Sequence, residues 1–149
     1  DILLIERAEA RPGGAREPVR FDLSEVLQDL SSYFEPLAAA RGLALAEEDV
    51  LKLELSLHEI FVNIAMYAYP GGEGEMSLRI WREERTLFME FRDRGIPFNP
   101  AEHPNPDLEE KIRQGTRGGL GVFLFKTLMD GYAYKRDGDE NVLTIFKKV

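Results

Sequence analysis

The apolar residues of this chain repeat with two different spacings along its length. From Asp22 to Gly42, and again from Glu47 to Ala68, they recur every three to four positions, which is the spacing of one helix face. Both segments are therefore predicted to form amphipathic helices. The apolar face of the second helix is predicted to contain Leu51, Leu55, Ile60, Ile64 and Ala65.

The rest of the chain predicts two β-hairpins around a third helix. Apolar and polar residues alternate from Glu75 to Arg82 and from Thr86 to Asp93, as in an antiparallel hairpin with one covered face. An apolar helix is predicted from Leu120 to Met129, followed by strands at Gly131 to Arg136 and Val142 to Lys147. This order predicts an α/β sandwich, in which helices cover one face of a mixed, mostly antiparallel sheet.

A short apolar run at the start of the chain is separated from the rest by a strong chain breaker. Ile2 to Ile5 predicts a strand, and Arg11-Pro12-Gly13-Gly14 predicts a linker. We expect residues 1–17 to be strand and linker and residues 18–149 to be one folded domain. The first strand is either an edge strand of that domain or the tail of a preceding one. The linker and the absence of an initial Met favour a fragment of a longer protein.

The segment from Phe98 to Arg117 contains several prolines, followed by a charged stretch from Leu108 to Arg113. Loops of this length inside a compact domain often act as lids over a binding site. Because the segment joins two glycine turns, at Gly95 and at Gly118, we predict a lid rather than a disordered insert.

Composition argues against several functional classes. The chain has 149 residues, enough for one domain with a sizeable core, and a formal net charge of -8, which argues against direct binding of duplex nucleic acid. It has no cysteine and two histidines, so neither a disulfide framework nor a metal site rich in cysteine or histidine is expected. No apolar run approaches the ~20 residues of a membrane-spanning helix.

Three short elements carry candidate chemistry. Glu59 and Asn63 are four residues apart and share one helix face, where a carboxylate and a carboxamide suit a base and a Mg²⁺ ligand. Asp93 lies in a turn with Gly95, where its carboxylate can accept a hydrogen bond from the exocyclic amine of a nucleobase. The run Gly118-Gly119-Leu120-Gly121-Val122 opens a helix, where backbone N–H groups favour phosphate.

In this order and at these spacings, the three elements resemble the N, G1 and G2 boxes of the Bergerat-fold (GHKL) ATPases. The resemblance is closest to the anti-sigma-factor serine kinases, covers roughly Pro18 to Val149, and implies the Bergerat fold. Sensor histidine kinases, by contrast, usually have glycine at the position of Pro97 and asparagine at that of Glu59. Four segments carry the resemblance: His58 to Pro70, Asp93 to Pro100, Gly118 to Asp130 and Asn141 to Thr144.

The resemblance implies a role for each residue of the three boxes. Glu59 would be the general base, Asn63 the ligand of Mg²⁺, and Asp93 the acceptor for the adenine N6 amine. Gly95 would let the backbone approach the purine, and Pro97 would stiffen the loop. The lid hinge and the phosphate-binding backbone would be formed by Gly118, Gly119, Leu120, Gly121 and Val122.

The resemblance also implies contacts outside the boxes. Thr144 resembles a strand threonine that helps to hold adenine. Arg117, in the lid, would reach the γ-phosphate, a role for which Lys111 and Arg113 are alternatives. Two aromatic residues are expected either at the ribose or in the core: Tyr67 and Tyr69.

The function implied is an ATP- and Mg²⁺-dependent serine protein kinase of the bacterial cytoplasm. It would phosphorylate a STAS-domain anti-sigma antagonist and bind a sigma factor, with the two partners competing; the family often forms homodimers. The first strand resembles the closing strand of PPM-type phosphatases, which can precede such kinase domains. The alternative is an ATP-binding interaction module with little transfer activity, regulated by ordering of the lid, although Glu59 favours a kinase.

Overall fold

A computed structural model of the chain describes residues 2–6, 18–22, 44–70, 74–115 and 120–149. It describes the backbone alone for residues 2–6 and 18–22, and the side chains as well for the other three ranges. The helix predicted between Asp22 and Gly42 and the linker predicted at Arg11 to Gly14 lie outside the described residues.

Within the described residues, six strands form one sheet, in the order β2-β1-β3-β4-β6-β5. Strand β1 pairs in parallel with β3, and every other neighbouring pair is antiparallel. The predicted mixed, mostly antiparallel sheet is confirmed, as are both hairpins and the strand at the start of the chain; β2 was not predicted. The strands are β1 (Ile2–Glu6), β2 (Pro18–Asp22), β3 (Glu75–Glu83), β4 (Thr86–Asp93), β5 (Gly131–Asp137) and β6 (Glu140–Lys148).

Three α-helices lie in the described residues: α1 (Glu47–Asn63), α2 (Leu108–Gln114) and α3 (Gly121–Leu128). A wider, π-helical turn at Ile64–Ala68 continues α1, and a 3₁₀ turn at Pro100–Glu102 follows β4. The predicted helices that correspond to α1 and α3 are confirmed. None of the helices described is long and apolar enough to cross a bilayer.

Helix α2 lies within the segment that was predicted to be an irregular loop. Asp107 caps its start by accepting a hydrogen bond from the N–H of Glu110 at 3.0 Å. Gly115 ends it with a φ of 65°, a left-handed conformation that glycine adopts without strain. The loop prediction was therefore wrong for residues 108–114, because these two capping residues specify a helix despite the prolines before it.

The hydrophobic core lies between one face of the sheet and the helices α1 and α3. Phe91 and Ile145 reach it from the sheet, and Val122 and Phe125 reach it from α3. Each fully buried apolar side chain contributes ~1.5–3 kcal/mol, so this layer holds both helices on the same face, as predicted. Helix α1 contributes four apolar residues that are at most 3 % exposed: Leu53, Leu57, Ile60 and Phe61.

The predicted apolar face of α1 is confirmed at Ile60 but wrong at Leu51 and Leu55, which are 55 % and 40 % exposed. Helix α1 carries two apolar stripes, both with helical spacing. Only one stripe can meet the sheet, and the structure buries the one from Leu53 to Phe61.

Candidate functional site

Asp93 ends β4, and only 6 % of the residue is exposed. Its Oδ1 accepts hydrogen bonds from the N–H of Gly95 and from Nδ2 of Asn141, each at 2.9 Å. No hydrogen bond from the described residues ends on its Oδ2. Burial raises the pKa of Asp93, and the two hydrogen bonds offset part of that rise. One carboxylate oxygen is therefore held by the protein, and the other remains an acceptor for a ligand.

Asn141 faces Asp93 across the pairing of β4 with β6 and is 4 % exposed. Besides Asp93, its Nδ2 donates to the carbonyl of Ile96 at 2.8 Å. Its Oδ1 accepts hydrogen bonds from the N–H of Phe98 at 3.2 Å and from the hydroxyl of Tyr134 at 2.7 Å. Two donors and two acceptors thus fill the hydrogen-bonding positions of the amide, which fixes both Asp93 and the loop after β4.

Gly95 lies against the end of the π-helical turn. A Cβ at this position would lie 2.4 Å from the carbonyl oxygen of Ala68 and 2.5 Å from its Cβ. The same carbonyl accepts from the N–H of Ile96 at 2.8 Å, and the carbonyl of Gly95 accepts from Nη1 of Arg136 at 2.9 Å. A glycine is therefore required for this loop to pack on the turn that follows α1. Its contact with a purine stays a prediction.

Tyr69 connects the end of the π-helical turn to the sheet. Its hydroxyl accepts from the N–H of Arg94 at 2.8 Å and donates to the carbonyl of Glu75. Burial raises the pKa of Tyr69. Tyr67, by contrast, is 63 % exposed. Of the two roles left open for these tyrosines, Tyr69 has the structural one, and a ribose contact of Tyr67 stays a prediction.

Glu59 lies against the first residue of α3. A Cβ at Gly121 would lie 2.5 Å from Oε2 of Glu59 and 3.4 Å from its Cβ, so a glycine leaves room for the carboxylate. Nδ1 of His58 is 3.8 Å from Oε1 of Glu59. The first N–H groups of a helix have no partner within the helix, and this end carries a partial positive charge. The carboxylate therefore stands beside a helix end that suits anions.

Asn63 is one turn further along α1, at the point where the helix widens into the π-helical turn. Such turns often occur at functional sites. The residue is half-buried, and no hydrogen bond joins its side chain to another described residue. Glu59 and Asn63 share one face of α1, as predicted, and the amide oxygen of Asn63 is available to a ligand.

At the start of α3, Leu120 caps the helix and is half-buried, whereas Val122 is 9 % exposed and belongs to the core. Any contact of these two residues with phosphate would therefore use the backbone N–H groups. Three of the predicted residues lie outside the described ranges: Arg117, Gly118 and Gly119.

The first part of the predicted lid is attached to the rest of the domain. Besides the bond from Phe98 to Asn141, Nζ of Lys126 on α3 donates to the carbonyl of His103 at 3.1 Å. The ring centroids of Phe98 and His103 are 4.6 Å apart. Arg113, one of the two alternative residues for the γ-phosphate contact, is paired with Glu110 on α2. A contact of Arg113 or Lys111 with the γ-phosphate stays a prediction.

Thr144 does not lie with the other predicted residues. It pairs with Glu90 in the register of β4 with β6, and side chains alternate along a strand. Its side chain therefore lies on the sheet face opposite the one that carries Asp93 and Asn141. The position does not support the predicted contact with adenine.

Pro97 is exposed in the loop after β4.

Asn141 and Arg136 were not predicted as site residues. Asn141 stands at a core-facing position of β6, where a polar residue needs a hydrogen-bonding partner. The polar residue at a core-facing position was visible in the sequence. The identity of its hydrogen-bonding partner was not, because it depends on the strand register that sets Asn141 opposite Asp93. Arg136 gives no such signal, because it is exposed and meets Gly95 only through the fold.

Known proteins resemble this chain in sequence and in fold. The sequence profile of the histidine kinase-like ATPase domain matches residues 20–147. The serine-protein kinase RsbW of Bacillus thuringiensis (strain Al Hakam) is 27% identical over 108 residues, which cover 70% of this chain and 68% of that protein. The serine-protein kinase RsbW of Bacillus mycoides (strain KBAB4) is 26% identical over the same length.

Two solved structures share the fold. The blue-light activated histidine kinase of Erythrobacter litoralis EL346 has a TM-score of 0.53 at 17% identity, over 71% of this chain and 32% of that protein's length. The catalytic domain of the histidine kinase ThkA has a TM-score of 0.50 at 13% identity, over 86% of this chain and 93% of that domain. With the family match over residues 20–147, these findings confirm the Bergerat fold, and the chain belongs to the histidine kinase-like ATPase domain family.

Proposed function

We propose that this chain is a serine protein kinase of the anti-sigma type, which uses ATP and Mg²⁺ to phosphorylate a STAS-domain anti-sigma antagonist. Its similarity to serine-protein kinases supports the class of reaction. The observation that carries the proposal is the position of Glu59 against Gly121, the first residue of α3.

A carboxylate in this place is unfavourable for binding alone. The N-terminal end of α3 suits phosphate, and Glu59 adds a negative charge beside it. A module that only binds nucleotide gains nothing from that charge. A kinase needs it, because a hydroxyl that attacks phosphorus must lose its proton to a nearby base. The geometry therefore favours chemistry at the phosphate end over binding without transfer.

In the proposed reaction, Glu59 accepts the proton of a serine hydroxyl on the partner. The serine oxygen forms a bond to the γ-phosphorus while the bond from that phosphorus to the bridging oxygen breaks, and ADP leaves. Asp93 would hold the adenine amine through Oδ2, which no described residue contacts by a hydrogen bond. The backbone at the start of α3 would hold phosphate oxygens.

Asn63 would hold Mg²⁺ through its side-chain oxygen, and the ion would neutralise phosphate charge. Within the described residues, no cluster of three or more His, Asp or Glu side chains could hold a metal ion by itself. Mg²⁺ commonly takes one or two protein ligands and completes its shell with phosphate oxygens and water, so a single amide ligand fits this ion.

The proposal includes partner switching in the bacterial cytoplasm as a way to regulate transcription. Phosphorylation adds ~1.5–2 negative charges to the antagonist. The kinase itself has a net charge of -8, so the phosphorylated product would be repelled more strongly than the unmodified protein. Release of the antagonist would leave the kinase able to bind a sigma factor, and a homodimer is compatible with this cycle.

The test combines binding with transfer. The purified chain is titrated with Mg²⁺–ATP by calorimetry and then incubated with labelled ATP and STAS proteins encoded next to it. We expect nucleotide binding and phosphoserine on one of the STAS proteins. ATP-dependent binding of a STAS partner without phosphoserine would contradict the kinase and favour the interaction module. Absence of nucleotide binding would contradict both.

A further inference from the structure

We propose that Asn141 sets the nucleobase specificity of this site by holding the carboxylate of Asp93 in one orientation, so that its free oxygen faces the purine. This inference rests on the proposed function, since it requires a purine nucleotide at Asp93. It assigns a positioning role to a residue outside the three sequence boxes, and this role can be tested separately from phosphoryl transfer.

The first step is the orientation of the Asn141 amide. Its nitrogen lies near two acceptors, Oδ1 of Asp93 at 2.9 Å and the carbonyl of Ile96 at 2.8 Å. Its oxygen lies near two donors, the N–H of Phe98 and the hydroxyl of Tyr134. A flipped amide would set acceptor against acceptor and donor against donor, so only one orientation satisfies these partners. The residue is 4 % exposed, which limits competition from water.

The second step is the effect on Asp93. Asn141 and the N–H of Gly95 both donate to Oδ1, so this oxygen is turned into the protein. The remaining oxygen, Oδ2, presents only acceptor positions when the carboxylate is ionised. Adenine places an amine donor opposite such an oxygen. Hypoxanthine places a carbonyl at the same ring position, so two acceptors would face each other in a buried site.

The third step is the loop that follows Asp93. Asn141 bonds the carbonyl of Ile96 and the N–H of Phe98, while Arg136 of β5 bonds the carbonyl of Gly95. The carboxylate and the loop beside it therefore share one buried anchor. A change at Asn141 would move both together, which would alter base recognition without touching Glu59 or Asn63 at the other end of the site.

Charge gives a second measurable consequence. The charged and titratable groups that act on Asp93 are Arg136 of β5, Glu140 of β6 and Tyr69 beside the π-helical turn. The hydrogen bond from Asn141 lowers the pKa of Asp93 against the effect of burial. Without that bond the carboxylate would take up a proton at a higher pH, and nucleotide affinity would begin to fall at a higher pH during acidification.

The experiment measures the affinities of Mg²⁺–ADP and Mg²⁺–IDP by calorimetry, at several pH values, for the wild type and three variants. Asn141→Leu removes all four hydrogen bonds while keeping the number of side-chain heavy atoms and the branch at Cγ. Tyr134→Phe removes only the hydroxyl that donates to Asn141. Ile145→Ala is the matched control, because it damages the core from the same face of β6 without removing a hydrogen bond.

We expect the wild type to prefer ADP by at least about tenfold, the effect of one charge-assisted hydrogen bond. Asn141→Leu should bring the ratio of ADP to IDP affinity close to one. It should also raise the pH below which ADP binding weakens. Tyr134→Phe should lower the ratio by roughly two- to tenfold, the effect of one neutral hydrogen bond. Ile145→Ala should keep the wild-type ratio even though its stability is lower.

A folded Asn141→Leu protein that keeps the wild-type ratio of ADP to IDP affinity and the wild-type pH dependence would overturn the inference. The inference is also overturned if Ile145→Ala lowers that ratio as much as Asn141→Leu does. If Asn141→Leu does not fold, Tyr134→Phe decides, and an unchanged ratio in that variant overturns the inference. A wild type that binds neither diphosphate contradicts the proposed function itself, which is a distinguishable result.

Discussion

At the end of the site proposed to bind the base, which we call the base end, Asp93 and Asn141 are 6 % and 4 % exposed and are bonded to each other. At the end proposed to bind phosphate, the phosphate end, the side chains of Glu59 and His58 are 31 % and 47 % exposed. Hydrogen bonds that join β6 to β4 and to the loop after β4 hold the base end. At the phosphate end, the side chain of Asn63 has no hydrogen bond to another described residue.

The difference indicates that folding alone organises the base end, and we expect the bound nucleotide and metal to organise the phosphate end. A buried carboxylate must be fixed by partners, because an unpaired polar group in the interior is costly. The carboxylate of Glu59 and the amide of Asn63 are only half-buried, so water can hydrate them without that cost until phosphate and metal bind. Changes at the base end should therefore alter affinity and stability together, whereas changes at the phosphate end should alter phosphoryl transfer and leave stability nearly unchanged.

The largest effect is expected for Glu59→Ala. Loss of a positioned base should slow phosphoryl transfer by roughly two to four orders of magnitude without weakening nucleotide binding. Phosphoserine formation on a purified antagonist and calorimetric titration measure the two quantities. Glu54→Ala, on the same helix, is the control and should transfer at the wild-type rate. A slow Glu54→Ala variant would point to damage to α1 instead.

Asn63→Ala separates metal binding from proton transfer at the same end. Without its amide oxygen the triphosphate would be neither neutralised nor aligned, so both affinity in the presence of Mg²⁺ and transfer should fall. Titration with and without Mg²⁺ measures the change. An unchanged dependence on Mg²⁺ would remove Asn63 from the metal site.

Asp93→Asn tests the base end. Loss of the charge-assisted hydrogen bond to the adenine amine should weaken ADP by ~1.5–3 kcal/mol, or roughly ten- to a hundredfold. Calorimetry measures this, with Asp139→Asn, an exposed turn residue, as the control. Equal affinities for Asp93→Asn and the wild type would mean that the base does not bind at Asp93.

Gly95→Ala should destabilise the fold, because the new Cβ would meet the carbonyl oxygen and Cβ of Ala68. Overpacking of this kind costs ~1–3 kcal/mol. Urea unfolding measures it. In the double variant with Ala68→Gly only part of the loss should return, because the carbonyl oxygen remains in place. Full recovery would show that the Cβ contact alone decides the packing.

The smallest effect is expected in the lid. The amides from Phe98 to His103 should be protected from hydrogen exchange without nucleotide, since Asn141 and Lys126 hold this part. The amides of α2 should gain protection only with Mg²⁺–ADP. Equal protection of α2 in both states would mean a structural helix rather than a lid.

Much of the fold and site could be predicted because the signals are local. Helix spacing predicted α1 and α3, and alternation predicted the two hairpins. The spacing of Glu59 and Asn63 also predicted that they share one helix face, whereas their assembly with Asp93 into one nucleotide site stays a prediction. The capping residues of α2 were also local, and the error there came from giving more weight to the prolines.

Contacts between distant segments could not be predicted in this way. The sequence of α1 contains two apolar stripes, and packing against the sheet decided that Leu53 is buried and Leu51 exposed. The register of β4 with β6 put Asn141 beside Asp93 and Thr144 on the other face. By itself the sequence determined which elements form and which chemical groups they carry, since both depend on neighbouring residues. The tertiary structure alone decided which of those groups meet, because burial and strand register depend on residues far apart in the chain.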